Sequence, residues 1–181
     1  SLGDRYPGSL TPVQRRKAAL ARALVSEPRL LILDEPTGGI EPRARAEFRD
    51  ELRRVQGESA ATAIFLTGDP REAMALGDRL AVMDFGKVLQ VGSPSEVYNR
   101  PVDTFVGQLL GPMNLIQGQS ESVDGRGDVV VRTPLGRLVG RAPHGGPPEP
   151  GSPVTVAIRP EAIGLGLNLH ADANRFAATI E

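Results

Sequence analysis

The first part of the chain alternates between segments of helical and of strand periodicity. Thr11, Pro12 and Gln14 predict a helix start, because a threonine cap, a proline at the first helical position and a glutamine three residues after the cap agree. We expect this helix to run to about Val25. Residues 30–33 are an unbroken aliphatic run, which predicts a strand buried on both faces.

Further helices and another strand follow at short intervals. Glu41 and Pro42 begin a helix with one charged face. Its apolar positions recur at helical spacing, at Ala44, Phe48, Leu52 and Val55. Thr62–Leu66 is a short β-rich run, and Asp69 caps a helix that continues through Leu76. This order predicts one half of a doubly wound α/β domain.

The next segment predicts a strand pair. Residues 79–83 and 88–91 have strand character, and residues 84–87 between them are turn-like. Ser93 and Pro94 then begin one more short helix.

Around Gly111 the composition changes to short β-rich segments separated by glycine and proline. These segments are residues 129–132, 154–158, 163–167 and 176–180. Short strands with frequent turn residues predict a small, strongly bent all-β module. We therefore expect two domains, residues 1–111 and 112–181, and we expect the second to be incomplete because its last strand stops with the chain.

Composition excludes several classes of site. The 181 residues contain 21 Lys and Arg against 22 Asp and Glu, so no net field favours nucleic acid, and no nucleic-acid partner is expected. The absence of cysteine excludes disulfides and thiolate sites, and His144 and His170 lack metal-ligand spacing. No aliphatic run approaches the roughly 20 residues of a membrane span, and no signal-peptide pattern is present, so we expect a soluble, cytoplasmic chain.

Asp34 and Glu35 directly follow the strand predicted at residues 30–33. A parallel strand can hold an acid rigidly at its C-terminal edge, where ligands collect in open α/β folds. In phosphate-cleaving sites of this kind, the first acid steadies Mg²⁺, directly or through water, and a neighbouring polar group orients the attacking water. The pair predicts a magnesium-nucleotide site, with an ordinary acidic turn before Pro36 as the alternative.

Several ordered segments resemble the ATP-binding subunits of ABC transporters, especially importer ATPases with an appended β-barrel of the TOBE type. Residues 10–14 (LTPVQ) are similar to the family signature LSGGQ, and residues 30–36 (LLILDEP) to its Walker B strand and catalytic acid. Residues 38–41 (GGIE) stand at the position of the D-loop, and Gly68 stands where the switch histidine is expected. Residues 157–161 (AIRPE) resemble a segment common in the appended barrel.

The resemblance implies a fold and a role for each matching residue. The implied fold is the C-terminal half of a P-loop-type ABC ATPase domain, followed by a partial OB-like barrel. Asp34 would hold Mg²⁺, Glu35 would be catalytic, and a helix tip would contact the nucleotide of a neighbouring subunit. The tip residues are Thr11, Val13 and Gln14, and the D-loop residues are Gly38, Gly39, Ile40 and Glu41.

The same resemblance implies cofactors and partners. The complete subunit would use ATP and Mg²⁺, pair with a second ATP-binding subunit of the same or a different kind, and couple ATP hydrolysis at their interface to solute uptake. Membrane-spanning permease subunits would hold it at the inner face of the cell membrane. The sequence does not specify the solute, because specificity in such systems lies in the permease and its external receptor.

Four departures from the family pattern argue against catalysis by this chain alone. The phosphate-binding loop G-x-x-x-x-G-K-[ST] is absent from the sequence, so we expect a fragment that binds ATP weakly and does not hydrolyse it by itself. Pro12 and Val13 replace the paired glycines of the signature, Gly68 replaces the histidine, and Gly38 and Glu41 replace the D-loop serine and aspartate. Losing one preorganised polar contact commonly costs on the order of 10²- to 10³-fold in rate. Asp34 and Glu35 are retained, whereas glycine replaces the histidine at residue 68, and this combination predicts a degenerate nucleotide site.

A non-catalytic regulatory or dimerisation module is the alternative function. In that interpretation the β module mediates dimer contacts or senses a small ligand, and the ATPase remnant is a scaffold. Arg159 is the best candidate for a polar contact in the β module, although an inter-strand structural role explains it more simply. Helix capping likewise explains Thr11, Pro12 and Gln14 without any ligand.

Overall fold

The computed structural model describes residues 6–143, 145–164 and 174. Within them the chain divides into two spatial units: the residues up to Leu80 together with Gly92–Pro94, and Ala81–Val91 together with the residues from Ser95 onward. The division into domains at residues 1–111 and 112–181 remains a prediction.

The first unit consists of three helices and two strands in alternation. They are α1 (Pro12–Leu24), β1 (Leu30–Asp34), α2 (Pro42–Glu58), β2 (Thr62–Leu66) and α3 (Pro70–Leu76), preceded by a 3₁₀ turn at Pro7–Ser9. β1 and β2 pair in parallel, with Leu30 opposite Thr62 and Asp34 opposite Leu66. Parallel strands joined through a helix are the α/β arrangement that the sequence predicts, and each of these elements confirms a prediction.

The core of this unit lies between the helices and one face of the two strands. Its buried residues are Leu20, Leu31, Ile40, Phe48, Leu52 and Leu76. Phe48 and Leu52 stand four residues apart on α2, so the helical spacing of the apolar positions places them on one inward face. Leu76 brings the end of α3 into the same cluster.

The other face of β1 and β2 is apolar and exposed. It carries Leu30, Ile32, Ile64 and Leu66, and Ile32 is 61% exposed. The prediction that residues 30–33 are buried on both faces is therefore wrong for the described structure. Its physical reason is the number of layers: the described helices of this unit cover one side of the strands, and burial follows the strand alternation instead.

The second unit begins with a hairpin. β3 (Leu80–Asp84) and β4 (Lys87–Gly92) are joined by Phe85 and Gly86, which have φ values of 42° and 75°. Positive φ at both central residues is the signature of a two-residue hairpin turn. The strand pair and its turn at residues 84–87 confirm the sequence prediction.

Two short helices and a four-stranded antiparallel sheet follow. The helices are α4 (Pro94–Asn99) and α5 (Thr104–Leu110), and the strands are β5 (Asn114–Val123), β6 (Asp128–Thr133), β7 (Gly136–Arg141) and β8 (Pro153–Ile158). The sheet order is β7-β6-β5-β8, so β7 and β8 are its edges. α4, β6 and β8 were predicted, whereas α5, β5 and β7 were not.

The edge strand β7 is capped by a side chain. The Val139 N–H donates to Asn174 Oδ1 at 2.7 Å, and Asn174 Nδ2 donates to the Val139 carbonyl at 2.8 Å. One amide side chain therefore satisfies both main-chain groups of an edge residue, in the manner of a neighbouring strand.

Arg159 is a structural clamp within the second unit. It is 9% exposed, and its guanidinium donates to the carbonyls of Gly111, Pro112 and Tyr98 at 2.9, 3.2 and 3.1 Å. The guanidinium also lies 3.9 Å from the centre of the Tyr98 ring. These contacts agree with the structural interpretation of Arg159 rather than with an open ligand contact.

The barrel remains a prediction. Strands β5 to β8 form an open sheet with two edges, and Ile163 and Gly164 are in no strand. The other residues of the predicted strand 163–167, the strand 176–180 and both histidines lie outside the described residues. In the part of the chain that the structure describes, no helix has the length and hydrophobicity needed to cross a bilayer.

Candidate functional site

Asp34 and Glu35 lie at the C-terminal end of β1, as the sequence predicts. Asp34 is the last residue of the strand and pairs in register with Leu66 at the end of β2. Both acids are exposed. Asp34 also borders a cavity of about 120 Å³, where Arg16 of α1 is another polar lining residue. Twin carboxylates at an open strand end are accessible to a phosphate ligand.

The backbone of Glu35 is held in an uncommon conformation. Its φ is 43°, in the left-handed region that side chains other than glycine rarely adopt. Its N–H donates to the Leu66 carbonyl at 2.9 Å, and its carbonyl accepts from the Gly38 N–H at 2.9 Å. The strand end and the following turn thus fix Glu35 from both sides, and this conformation costs about 1–2 kcal/mol.

The carboxylate of Glu35 is held by the switch position. Gly68 N–H donates to Glu35 Oε1 at 2.7 Å. A charge-assisted bond of this length fixes the carboxylate without any side chain at residue 68. Within the described residues the second oxygen, Oε2, has no hydrogen-bond partner, so it is free to accept a hydrogen bond from water.

The turn at residues 38–41 is anchored to α1 and to the core. Arg16 Nη2 and Nε donate to the Gly38 carbonyl at 2.9 and 3.3 Å. Gly39 has a φ of 75°, which glycine adopts without strain. Ile40 is 2% exposed, and Glu41 stands exposed before α2 without a side-chain cap bond. This turn is rigid at its centre and open at its end.

The tip of α1 is occupied by its own cap. Thr11 Oγ1 accepts from the Gln14 N–H at 3.3 Å, and Gln14 Oε1 accepts from the Thr11 N–H at 3.1 Å, which confirms the predicted capping box. Pro12 has no N–H and the Arg15 N–H donates to the Thr11 carbonyl, so the Val13 amide is the first-turn donor that this cap leaves open. The Val13 side chain packs against the core.

The structure therefore brings part of the predicted site together. Glu35 is hydrogen-bonded to both Gly38 and Gly68, and Asp34 precedes Glu35 in the sequence. Thr11 and Gln14 bond to each other, and their predicted role toward a neighbouring subunit remains a prediction.

Four side chains around the acids were not predicted from the sequence. Thr37 and Thr67 donate hydroxyl hydrogen bonds to Glu72, which is buried on α3. The available signal was the spacing of Glu72 and Leu76, because residues four apart share a helix face and Leu76 is apolar. The fourth is Arg16 of α1, which donates to the Gly38 carbonyl.

The oxygen donors fit a magnesium ion that takes most of its ligands from elsewhere. Magnesium is usually held by one or two carboxylates, with water and substrate phosphates completing six ligands. Asp34 and Glu35 supply such carboxylates at an exposed edge. Among the described residues no group of three or more His, Cys, Asp or Glu side chains is placed to hold a metal. The arrangement fits a metal that arrives with a nucleotide.

Comparisons with known proteins relate this chain to transport proteins. The family model described as ABC transporter matches residues 2–38. The spermidine/putrescine import ATP-binding protein of Rubrobacter xylanophilus is 40% identical over 163 residues, covering 90% of this chain and 43% of that protein.

Relatives named for other solutes are equally similar. The sulfate/thiosulfate import ATP-binding protein of Thermosynechococcus vestitus is 41% identical over 148 residues, covering 80% of this chain and 44% of the relative. The xylose/arabinose import ATP-binding protein of Haloferax volcanii is 41% identical over 165 residues, covering 90% of this chain and 42% of the relative.

The chain belongs to the ABC transporter family, in which its relatives are import ATP-binding proteins. It spans less than half the length of these relatives, namely 43%, 44% and 42%.

Proposed function

We propose that this chain is part of the ATP-binding subunit of an ABC importer, in which ATP binding and hydrolysis at a dimer interface are coupled to solute uptake. The observation that carries the proposal is the fixed pair of acids at the end of β1. Asp34 and Glu35 are exposed there, and Gly68 N–H holds Glu35 Oε1 at 2.7 Å. Family membership supplies the reaction class.

Asp34 and Glu35 take different roles in this proposal. Asp34 holds Mg²⁺, directly or through water, and Glu35 orients the attacking water through the oxygen that Gly68 leaves free. When bound with ATP, Mg²⁺ neutralises phosphate charge. The left-handed backbone of Glu35 and its bonds to Leu66 and Gly38 keep the carboxylate in place before any ligand arrives.

The partner surfaces follow from the same proposal. The Val13 amide at the tip of α1 faces the nucleotide of a second ATP-binding subunit, because a helix N-terminus attracts phosphate through its open donors and its positive partial charge. The turn at residues 38–41 faces the same subunit. Permease subunits hold the assembly at the inner face of the membrane. The relatives are named for polyamines, oxyanions and pentoses, so they support an importer without indicating which solute it carries.

The proposal is tested by Mg-ATP binding to this chain alone and mixed with the N-terminal half of an importer ATP-binding subunit, which contains the phosphate-binding loop that this chain lacks. Titration calorimetry is the measurement, and that half alone provides the baseline. We expect additional binding only in the mixture, and we expect Asp34→Asn to reduce it about tenfold. Asp50→Asn, at an exposed site on α2, is the matched control and leaves binding unchanged.

The regulatory alternative makes the opposite prediction. Gly68 in place of the histidine and a signature hydroxyl already used in a cap favour a module without turnover. In that case the mixture gains no nucleotide binding over the loop-containing half alone, or the gain is the same for Asp34→Asn and Asp50→Asn. Either result removes the nucleotide-site proposal.

A further inference from the structure

Glu72 is a buried carboxylate that has no role in the proposed reaction. It is 1% exposed on α3. Acidic residues are almost never fully buried unless they are paired. In the described structure no Lys or Arg forms an ion pair with Glu72; its partners are two hydroxyl groups.

The two hydroxyls come from the loops that leave the two parallel strands. Thr37 Oγ1 donates to Glu72 Oε1, and Thr67 Oγ1 donates to Glu72 Oε2 at 3.0 Å. Thr37 is 3% exposed, so this contact is shielded from water. Each carboxylate oxygen of Glu72 thus holds a different loop.

Each loop also carries one half of the Glu35–Gly68 bond. Thr37 stands two residues after Glu35, and Thr67 directly precedes Gly68. The Thr67 hydroxyl also accepts from the Asp69 N–H at 3.0 Å, which fixes the loop on the other side of Gly68. The position of the Gly68 amide relative to the Glu35 carboxylate therefore depends on both contacts of Glu72.

Packing alone does not account for a carboxylate at this place. Removing an ionised group from water is costly, and an apolar side chain of similar volume would avoid that cost. Hydrogen bonds from hydroxyl groups to a charged group recover part of the cost. What an apolar side chain cannot do is bind two loops at once.

We propose that Glu72 is a positioning residue that aligns Glu35 with the backbone amide of Gly68. It does so through Thr37 and Thr67, and it touches neither nucleotide nor water itself. The inference rests on the proposed function, because alignment of Glu35 matters only if Glu35 orients water. It also explains how the site keeps its shape with glycine at residue 68, since the contact that remains is made by main chain.

Hydrogen exchange of the Gly68 amide, followed by NMR in the full chain without nucleotide, tests this role. Gly68 is exposed, so its exchange is slowed mainly by the bond to Glu35. We expect Glu72→Gln to accelerate exchange at Gly68 roughly tenfold, because one acceptor oxygen is replaced by a donor group. The Gly77 amide, which donates to the Ala73 carbonyl at the other end of α3, is the internal reference and stays unchanged.

A milder pair of variants covers the case in which Glu72→Gln does not fold. Thr67→Val removes the hydroxyl at nearly constant volume and is expected to accelerate Gly68 exchange, whereas Thr67→Ser keeps the hydroxyl and the native rate. Unchanged exchange at Gly68 in Thr67→Val overturns the proposal. Equal acceleration at Gly68 and Gly77 also overturns it, because that result indicates general loosening of α3.

The result is separable from the proposed function. Exchange at Gly68 is measured without ATP, so failure of Mg-ATP binding leaves the alignment by Glu72 standing and removes only its catalytic meaning. Conversely, normal partner-dependent binding with unchanged exchange in Thr67→Val removes the role of Glu72 alone.

Discussion

Gly38 and Gly68 differ in the room that each leaves for a side chain. A Cβ atom at residue 68 would meet only Glu35 Oε1, at 3.6 Å, which is ordinary contact. A Cβ atom at residue 38 would lie 3.0 Å from the Glu35 carbonyl oxygen and 3.2 Å from Arg16 Nη2. Alanine is therefore expected to fit at residue 68 and to be crowded at residue 38.

The expected difference can be worked out by comparing the two alanine variants. Neither glycine has φ in the left-handed region, so both substitutions gain the same stabilisation from a less flexible unfolded chain, about 0.4–1 kcal/mol. Gly68→Ala shows this gain alone. Gly38→Ala adds the cost of overpacking, about 1–3 kcal/mol, because the Glu35 carbonyl and the Arg16 guanidinium both have to move. The free energy of unfolding of Gly68→Ala should thus exceed that of Gly38→Ala by about 1–3 kcal/mol.

Urea unfolding measures this difference. The chain has no tryptophan, so far-UV circular dichroism follows the helices, and the NMR signals of the buried Phe48 ring report the first unit specifically. Equal stabilities, or a more stable Gly38→Ala, would refute the geometry of the turn around Glu35. A serine at residue 38, as in the usual D-loop, meets the same crowding, which gives a physical reason for glycine there.

Two further predictions concern the second unit. The pKa of Glu121 lies below its ordinary value of 4.5, because Arg132 donates a hydrogen bond at 2.6 Å; burial opposes this effect, and Arg137 at 2.7 Å reinforces it. The ionised Glu121 carboxylate stabilises the fold fully above pH 4.5, and this stabilisation is lost as the pH falls through the lowered pKa. The difference in free energy of unfolding between wild type and Glu121→Gln should therefore shrink on acidification. A difference that is constant with pH would contradict this prediction. Arg159→Met leaves three part-buried carbonyls without their donor and should lower the free energy of unfolding by about 1–3 kcal/mol in urea titrations, whereas a change within about 0.5 kcal/mol would exclude the clamp.

Short-range sequence patterns predicted most helices and strands of the first unit. The cap at Thr11 and Gln14, the spacing of Phe48 and Leu52 on α2, and the proline at the start of α3 each act within a few residues, so they can be predicted without knowledge of the fold. The strand at β1 and its terminal acids followed from the same kind of local signal.

What the sequence did not predict depends on distant contacts. β5 reads NLIQGQSESV, a mostly polar segment, and it is a strand because β6 and β8 pair with it on either side. The exposure of Ile32 depends on which layers cover β1, which an apolar run does not reveal. α5 was missed although Asp103 caps it through the Val106 N–H at 2.8 Å.

The candidate site shows the same division. The identities of Asp34 and Glu35 were visible in the sequence, whereas the bond from Gly68 was not, because a backbone donor leaves no trace in the residue type. The burial of Glu72 was indicated only by its position four residues before the apolar Leu76, because the burial itself arises from the packing of α3 against two loops.

Asn174 has a consequence for how copies of this protein can associate. Unprotected sheet edges invite strand addition and aggregation. Since the Asn174 amide already occupies both main-chain groups of Val139, an incoming extended chain has to displace this amide before it can lengthen the sheet at that point of β7. A single amide thereby works against polymerisation through this margin of the molecule.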